Sequence, residues 1–169
     1  GNALSGSIPS TIGKVLKLVD FSVSKNCLSG TIPTSMGGLT KMERLLIHEN
    51  SLSGSVPTSL GKLTKLVDLI IRNNCFSGSL PSVLSALSLL VTFSSQVNCL
   101  AGTIPSSFGS LTNVMYFDAA DNLLSGSIPS NLGRMSSLVT LNLQSNSLSG
   151  TLSGLLANPT ALAHVEVNG

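Results

Sequence analysis

Apolar residues in this chain recur as one fixed figure. Leu18, Phe21 and Val23 are followed by Leu28, Ile32, Met36 and Leu39, and the figure returns every 24 residues. Aligning the copies puts Phe21, Leu45, Leu69, Phe93, Phe117, Leu141 and Val165 in one column. Val23, Ile47, Ile71, Ser95, Ala119, Leu143 and Val167 stand two residues later. Apolar positions two apart predict a short strand with one buried face, and equal units predict that these strands stack in parallel at ~4.8 Å. The next apolar spacings, from Leu28 to Ile32, Met36 and Leu39, predict a second extended piece and then a helical or 3₁₀ turn. Ser95 and Ala119 thin the core two residues after Phe93 and Phe117, so their volumes compensate by local repacking.

Polar punctuation keeps the same period. Asn stands at 2, 26, 50, 74, 98, 122 and 146 without an insertion. A period between 20 and 29 residues means stacked identical units, so residues 1–169 are expected to form one solenoid domain. The Asn amide is expected to bond turn backbone where the strand ends. The Gly of Asn-Cys-Leu-Ser-Gly suits a positive φ, and the Pro that follows suits a strand end that donates no hydrogen bond. Such repeated residues are scaffold, so recognition must lie in the columns that vary. Gly1 and Gly169 fall in the same phase, which suggests an excerpt of a longer chain without polar caps. The last unit loses its Pro at Thr151-Leu152-Ser153-Gly154, and Ala157 replaces Gly, so the array is expected to decay near residue 170.

The full unit reads Leu18-x-x-Phe21-x-Val23-x-x-Asn26-x-Leu28-Ser-Gly-x-Ile32-Pro33-x-x-Met36-Gly37-x-Leu39. Over the whole chain it resembles the plant-type leucine-rich repeats, with their Leu-Ser-Gly-x-Ile-Pro signature. The resemblance implies an α/β, mostly β, right-handed solenoid of seven units. Its first strands would form a concave parallel β-sheet, with a second strand at the signature and short 3₁₀ segments on the convex side. It further implies a non-enzymatic, extracellular or cell-surface recognition module, as in receptors or secreted inhibitors. Ice-binding members and protist surface proteins use the same unit.

Composition narrows this little. Hydrophobic residues make up 42% and charged residues only 9%, so solubility rests on Ser, Thr, Asn and Gly. A net charge of +2 does not point to nucleic acid, no run of about 18 apolar residues spans a membrane, and the start is no signal peptide. Eight of the nine basic residues lie before residue 73, whereas Asp118, Asp121 and Glu166 lie after it. That polarity suits an alternative reading, a structural or cell-surface protein stacking copies of itself head to tail into fibres.

Candidate chemistry is sparse. Cys27, Cys75 and Cys99 share the column after the Asn; they are expected to be semi-buried thiols that fill space, the alternative being a disulfide between Cys75 and Cys99, which occupy adjacent units within reach at ~5 Å. No Cys or His spacing supports a metal, no cofactor motif is present, and neither His48 nor His164 has partners for catalysis. On the sheet face that the resemblance makes the binding surface, Leu46 beside Ile70 is an exposed aliphatic pair, flanked by His48 and Arg72. Tyr116, Asp118, Asp121, Asn142 and Gln144 form the best polar cluster. Together these predict a site for a protein, peptide or glycan. Asp20, Arg44 and Asp68 alternate in sign and are expected to stabilise the sheet. Lys17, Lys41 and Lys65 form a stripe that is solvated or meets an anionic partner.

One column is always hydroxylated: Ser7, Thr31, Ser55, Ser79, Thr103, Ser127 and Thr151. It provides solubility, O-glycan acceptors or, as a third function, an ice-binding face. N-glycosylation is excluded, because Asn158-Pro159-Thr160 is blocked by its Pro.

Overall fold

The described units run strand, turn, strand, 3₁₀ turn, six such 3₁₀ turns lying between Ser10 and Arg134. The computed structural model describes residues 2–152 and 161–168. The decaying positions Ser153, Gly154 and Ala157, the blocked Asn158-Pro159-Thr160 site, and Gly1 and Gly169 lie outside the described residues. The first sheet is built from β2 (Asp20–Ser22), β4 (Arg44–Leu46), β6 (Asp68–Ile70), β8 (Thr92–Ser94), β10 (Tyr116–Asp118), β12 (Thr140–Asn142) and β14 (His164–Glu166). These strands are parallel neighbours in sequence order. Their register equals the repeat, so Asp20 faces Arg44 and Phe21 faces Leu45.

The second sheet takes β1 (Ser5–Ser7), β3 (Cys27–Gly30), β5 (Ser51–Ser55), β7 (Cys75–Ser79), β9 (Cys99–Gly102), β11 (Leu123–Ser127) and β13 (Ser147–Ser149). Its register is displaced by two residues from the repeat. Ser53 faces Cys75 and Ser77 faces Cys99. Cys75 and Cys99 are therefore diagonal rather than direct neighbours, at about 7–8 Å by that geometry, beyond the usual disulfide span. All three cysteines are free, exposed thiols. Column alignment alone cannot reveal such a stagger, which is why the expected side-by-side placement fails.

A proline introduces each 3₁₀ turn, as Pro33 does for Thr34–Gly38 and Pro105 for Ser106–Ser110. Its fixed φ, −64° at Pro33, is already suitable for the turn, and its missing N–H is not needed there. Bonds from Met36 N–H to Pro33 O and from Leu39 N–H to Met36 O, each 3.0 Å, close the 3₁₀ geometry. Successive turns pack backbone to backbone. A Cβ on Gly109 would lie 2.2 Å from the carbonyl oxygen of Asn131, so only glycine fits.

Between sheets and turns runs one apolar core from Ile8 to Leu143. At its centre the Phe93 and Phe117 rings stack at 4.9 Å, with Phe108 edge-on to them at 6.2 and 6.1 Å. Ser95 and Ala119 are fully buried in the same two units, so aromatic bulk and small neighbours occur together there.

The asparagines tie unit to unit. Asn74 Oδ1 accepts the Leu52 N–H at 3.0 Å. Its Nδ2 donates to the carbonyls of Ile47, Ile71 and Arg72 at 3.0–3.2 Å. Just before each of these asparagines the backbone turns left-handed, at Lys25, Glu49, Asn73, Val97, Asp121 and Ser145, with φ of 50–57°. The turn aims two successive N–H groups at the next unit, Val97 to Ala120 O and Asn98 to Asp121 O. Five of the six residues are not asparagine, so nothing in the residue types announced this column. Val97 is the strained member, because a β-branched residue is a genuine outlier at positive φ. Val97→Asn is expected to stabilise the chain by about 1 kcal/mol, a rise of roughly 3 °C in Tm measurable by thermal circular dichroism.

Candidate functional site

Strands of three residues leave a simple division of labour. In β4, Leu45 enters the core while Arg44 and Leu46 face outward; β6 and β10 repeat this with Leu69 and Phe117. Hence the varying columns of the first sheet project from its outer face at strand spacing.

Two groups of candidate residues form on this face. Leu46 and Ile70 are cross-strand partners, both half-buried, and their aliphatic surfaces adjoin without polar interruption. His48 and Arg72 follow two residues on. Burial, then the Arg72 charge, pushes the His48 imidazole below its ordinary pKa, so it is neutral at physiological pH. Its Nδ1 is buried without a hydrogen-bond partner among the described residues. The guanidinium of Arg72 is held by Glu49 at 3.1 Å. That partner was not foreseen, because Glu49 occupies the left-handed turn position rather than the strand. At the sheet's start Arg44 grips Asp20 through two bonds of 2.6 and 2.8 Å, the cross-strand pairing expected for this column. Both side chains are about half exposed, so the pair contributes little to stability.

The second group lies on β10 and β12. Tyr116 is 47% exposed. Asp118 faces Asn142 across the strands, and its Oδ1 accepts the Ala120 N–H at 3.1 Å. Burial raises the pKa of the Asp118 carboxyl above the ordinary aspartate value, and the charges of Asp121 and Glu166 add to the rise. Asp121 itself stands off the sheet at the left-handed turn, exposed. Gln144 is half-buried, its N–H donating to Asn142 Oδ1 at 3.2 Å. The structure thus keeps the aliphatic and polar groups apart, with β8 between them. Small Thr92 and Ser94 fill that strand, and Ser94 is 8% exposed. Ile70 and Asp118 are two strand spacings apart, ~10 Å, a distance an extended chain crosses in about three residues.

Among the described residues no group of three His, Cys, Asp or Glu side chains can hold a metal. His164 pairs only with Glu166 at 2.9 Å, on an exposed edge. Lys17, Lys41 and Lys65 are exposed. No described helix is long and apolar enough to cross a membrane.

The model of the Leucine Rich Repeat family matches residues 65–87 and 137–159. A search of curated proteins finds no matching relative. Among solved structures, the chain resembles the ectodomain of the Arabidopsis receptor kinase HAESA in complex with an IDA peptide hormone. It does so at 36% identity with a TM-score of 0.89, over 99% of this chain and 28% of that one. It resembles the Arabidopsis thaliana BIR2 ectodomain at 30% identity and a TM-score of 0.72, over 84% of this chain and 73% of that one. A plant ice-binding protein matches at 27% identity and a TM-score of 0.81, over 98% and 61%. The chain spans little more than a quarter of the HAESA ectodomain's length.

Proposed function

We propose, for a chain that belongs to the leucine-rich repeat family, that it is a plant-type extracellular recognition module. In this reading the first sheet is the concave face, and it takes an extended peptide or protein segment. The observation that carries the reading is the partition of residues. Asn, Gly, Pro and the buried Leu, Ile and Phe are consumed by the scaffold, whereas the residues that differ from unit to unit project from one ordered sheet. Similarity to an ectodomain solved with a peptide hormone supports it.

The mechanism is rigid presentation. Backbone ladders hold the side chains in fixed columns, so binding orders little on the receptor side. Leu46 and Ile70 receive an apolar side chain, the ligand crosses Thr92 and Ser94, and Tyr116, Asp118 and Asn142 take its polar end. Arg44 and Arg72 are already neutralised by Asp20 and Glu49. The acids at the other end face no Lys or Arg among the described ion pairs, so that end favours a basic group on the ligand.

Peptides selected from a random display library on the folded chain test this. Leu46→Asp is expected to weaken a selected peptide by about 100-fold, by placing a charge under its apolar anchor. Tyr116→Ala is expected to weaken it by about 10-fold. Selected peptides that bind both variants as tightly as the parent chain would place recognition elsewhere.

A further inference from the structure

A second surface, sharing no residue with the first sheet, is lined by hydroxyls. Ser55, Ser79, Thr103 and Ser127 are exposed, and among the described residues none of these four hydroxyls takes part in a hydrogen bond. Facing them across a trough stand Thr58, Ser82 and Ser106, which open the 3₁₀ turns. The floor between is apolar: Val56, Leu80 and Ile104 show 2–3% of their surface, with Pro57 and Pro81 buried beside them. A hollow of about 880 Å³ occupies the trough from Thr58 to Pro129. Further hollows continue it to Thr31 at one end and Thr151 at the other, sharing Thr58 and Ser106 with the first. No charged residue lines any of the three.

We propose that this trough binds an uncharged polysaccharide chain lying along the solenoid. Hydroxyls both donate and accept, which suits the hydroxyls of a sugar whichever way each points. Val83, 43% exposed, and the half-buried Pro105 and Pro129 in the lining meet the C–H face of a pyranose ring, while the two rims meet its edge hydroxyls. An ionic ligand would be desolvated there with no opposite charge to compensate. Repetition of the same lining in unit after unit fits a polymer, whose many weak contacts act together.

Electrophoresis of the folded chain through gels holding laminarin, xyloglucan, galactomannan or dextran provides the test. Retardation is expected with at least one of these neutral probes, unchanged between about 0.05 and 1 M NaCl because no charge takes part. The double variant Ser79→Ala, Thr103→Val is expected to weaken it about 10-fold, with the circular dichroism spectrum kept. Ser106→Arg, a charge set into the rim, should do the same, and Tyr116→Ala should leave it unaltered. Migration unaffected by all four polymers overturns the proposal. So does retention that survives both trough variants, or inhibition of ice recrystallisation without retention by any polymer.

Discussion

Phe117→Ala will lower stability by about 4 kcal/mol, a fall of roughly 12 °C in Tm. Phe117 is fully buried, stacked on Phe93 at 4.9 Å and edge-on to Phe108 at 6.1 Å. Removing its ring therefore takes away transfer energy and two aromatic contacts together. Collapse cannot close the gap, because Ala119 beside it is already small and buried, and both neighbouring strands are fixed by their ladders. Phe117→Leu, which copies the residue at this position in three other units, should recover most of the loss. Urea unfolding of the three chains measures it directly.

Asn122→Ala is expected to cost about 3 kcal/mol, a fall of roughly 9 °C in Tm. Asn122 is buried at 6% exposure. Its Oδ1 accepts the Leu100 N–H at 2.9 Å, and its Nδ2 reaches the carbonyls of Ser95, Ala119 and Ala120. Alanine leaves the Leu100 N–H buried without an acceptor and three carbonyls with one partner fewer. The loss falls on the joint between two units, so the amide of Leu100 should exchange with solvent much faster than its neighbours. Asn122→Asp tests the donor side separately: the acceptor is kept, but a carboxylate is aimed at carbonyl oxygens, so it should be no better than alanine.

Most of the fold was legible because each repeated residue has one physical use. Alternation at Phe21 and Val23 announced the first strands, and Leu28 with Ile32 the second. Pro33 followed by Met36 and Leu39 marked the 3₁₀ turn. The Asn column announced amide bonds to the turn backbone where each strand ends. What escaped was what column alignment cannot carry. The two-residue stagger of the second sheet is a property of strand direction, so Cys75 and Cys99 proved diagonal and free. The left-handed turn at Lys25, Glu49 and Val97 is dictated by the ladder on either side, and the residue types there give no sign of it. It also moves Glu49 within reach of Arg72, an ion pair hidden by treating the columns as independent.

The candidate surface was legible in membership but not in arrangement. Leu46 with Ile70, and Tyr116 with Asp118 and Asn142, fall on the same face as the alternation requires. Burial of Asp118 and the separation of the two groups by Thr92 and Ser94 depend on packing depth, which single positions do not reveal. Likewise the uniform Ser and Thr column was plain in the sequence. That it forms one wall of a trough, with Thr58, Ser82 and Ser106 opposite, required the turn geometry.

The central claim is that recognition belongs to the varying columns of the first sheet. Methyl and aromatic chemical-shift perturbation on adding a library-selected peptide tests it most directly. The account predicts shifts concentrated at Leu46, Ile70 and Tyr116, with the trough-floor residues Val56, Leu80 and Ile104 unmoved. Shifts confined to those trough-floor residues, with Leu46, Ile70 and Tyr116 silent, would contradict it.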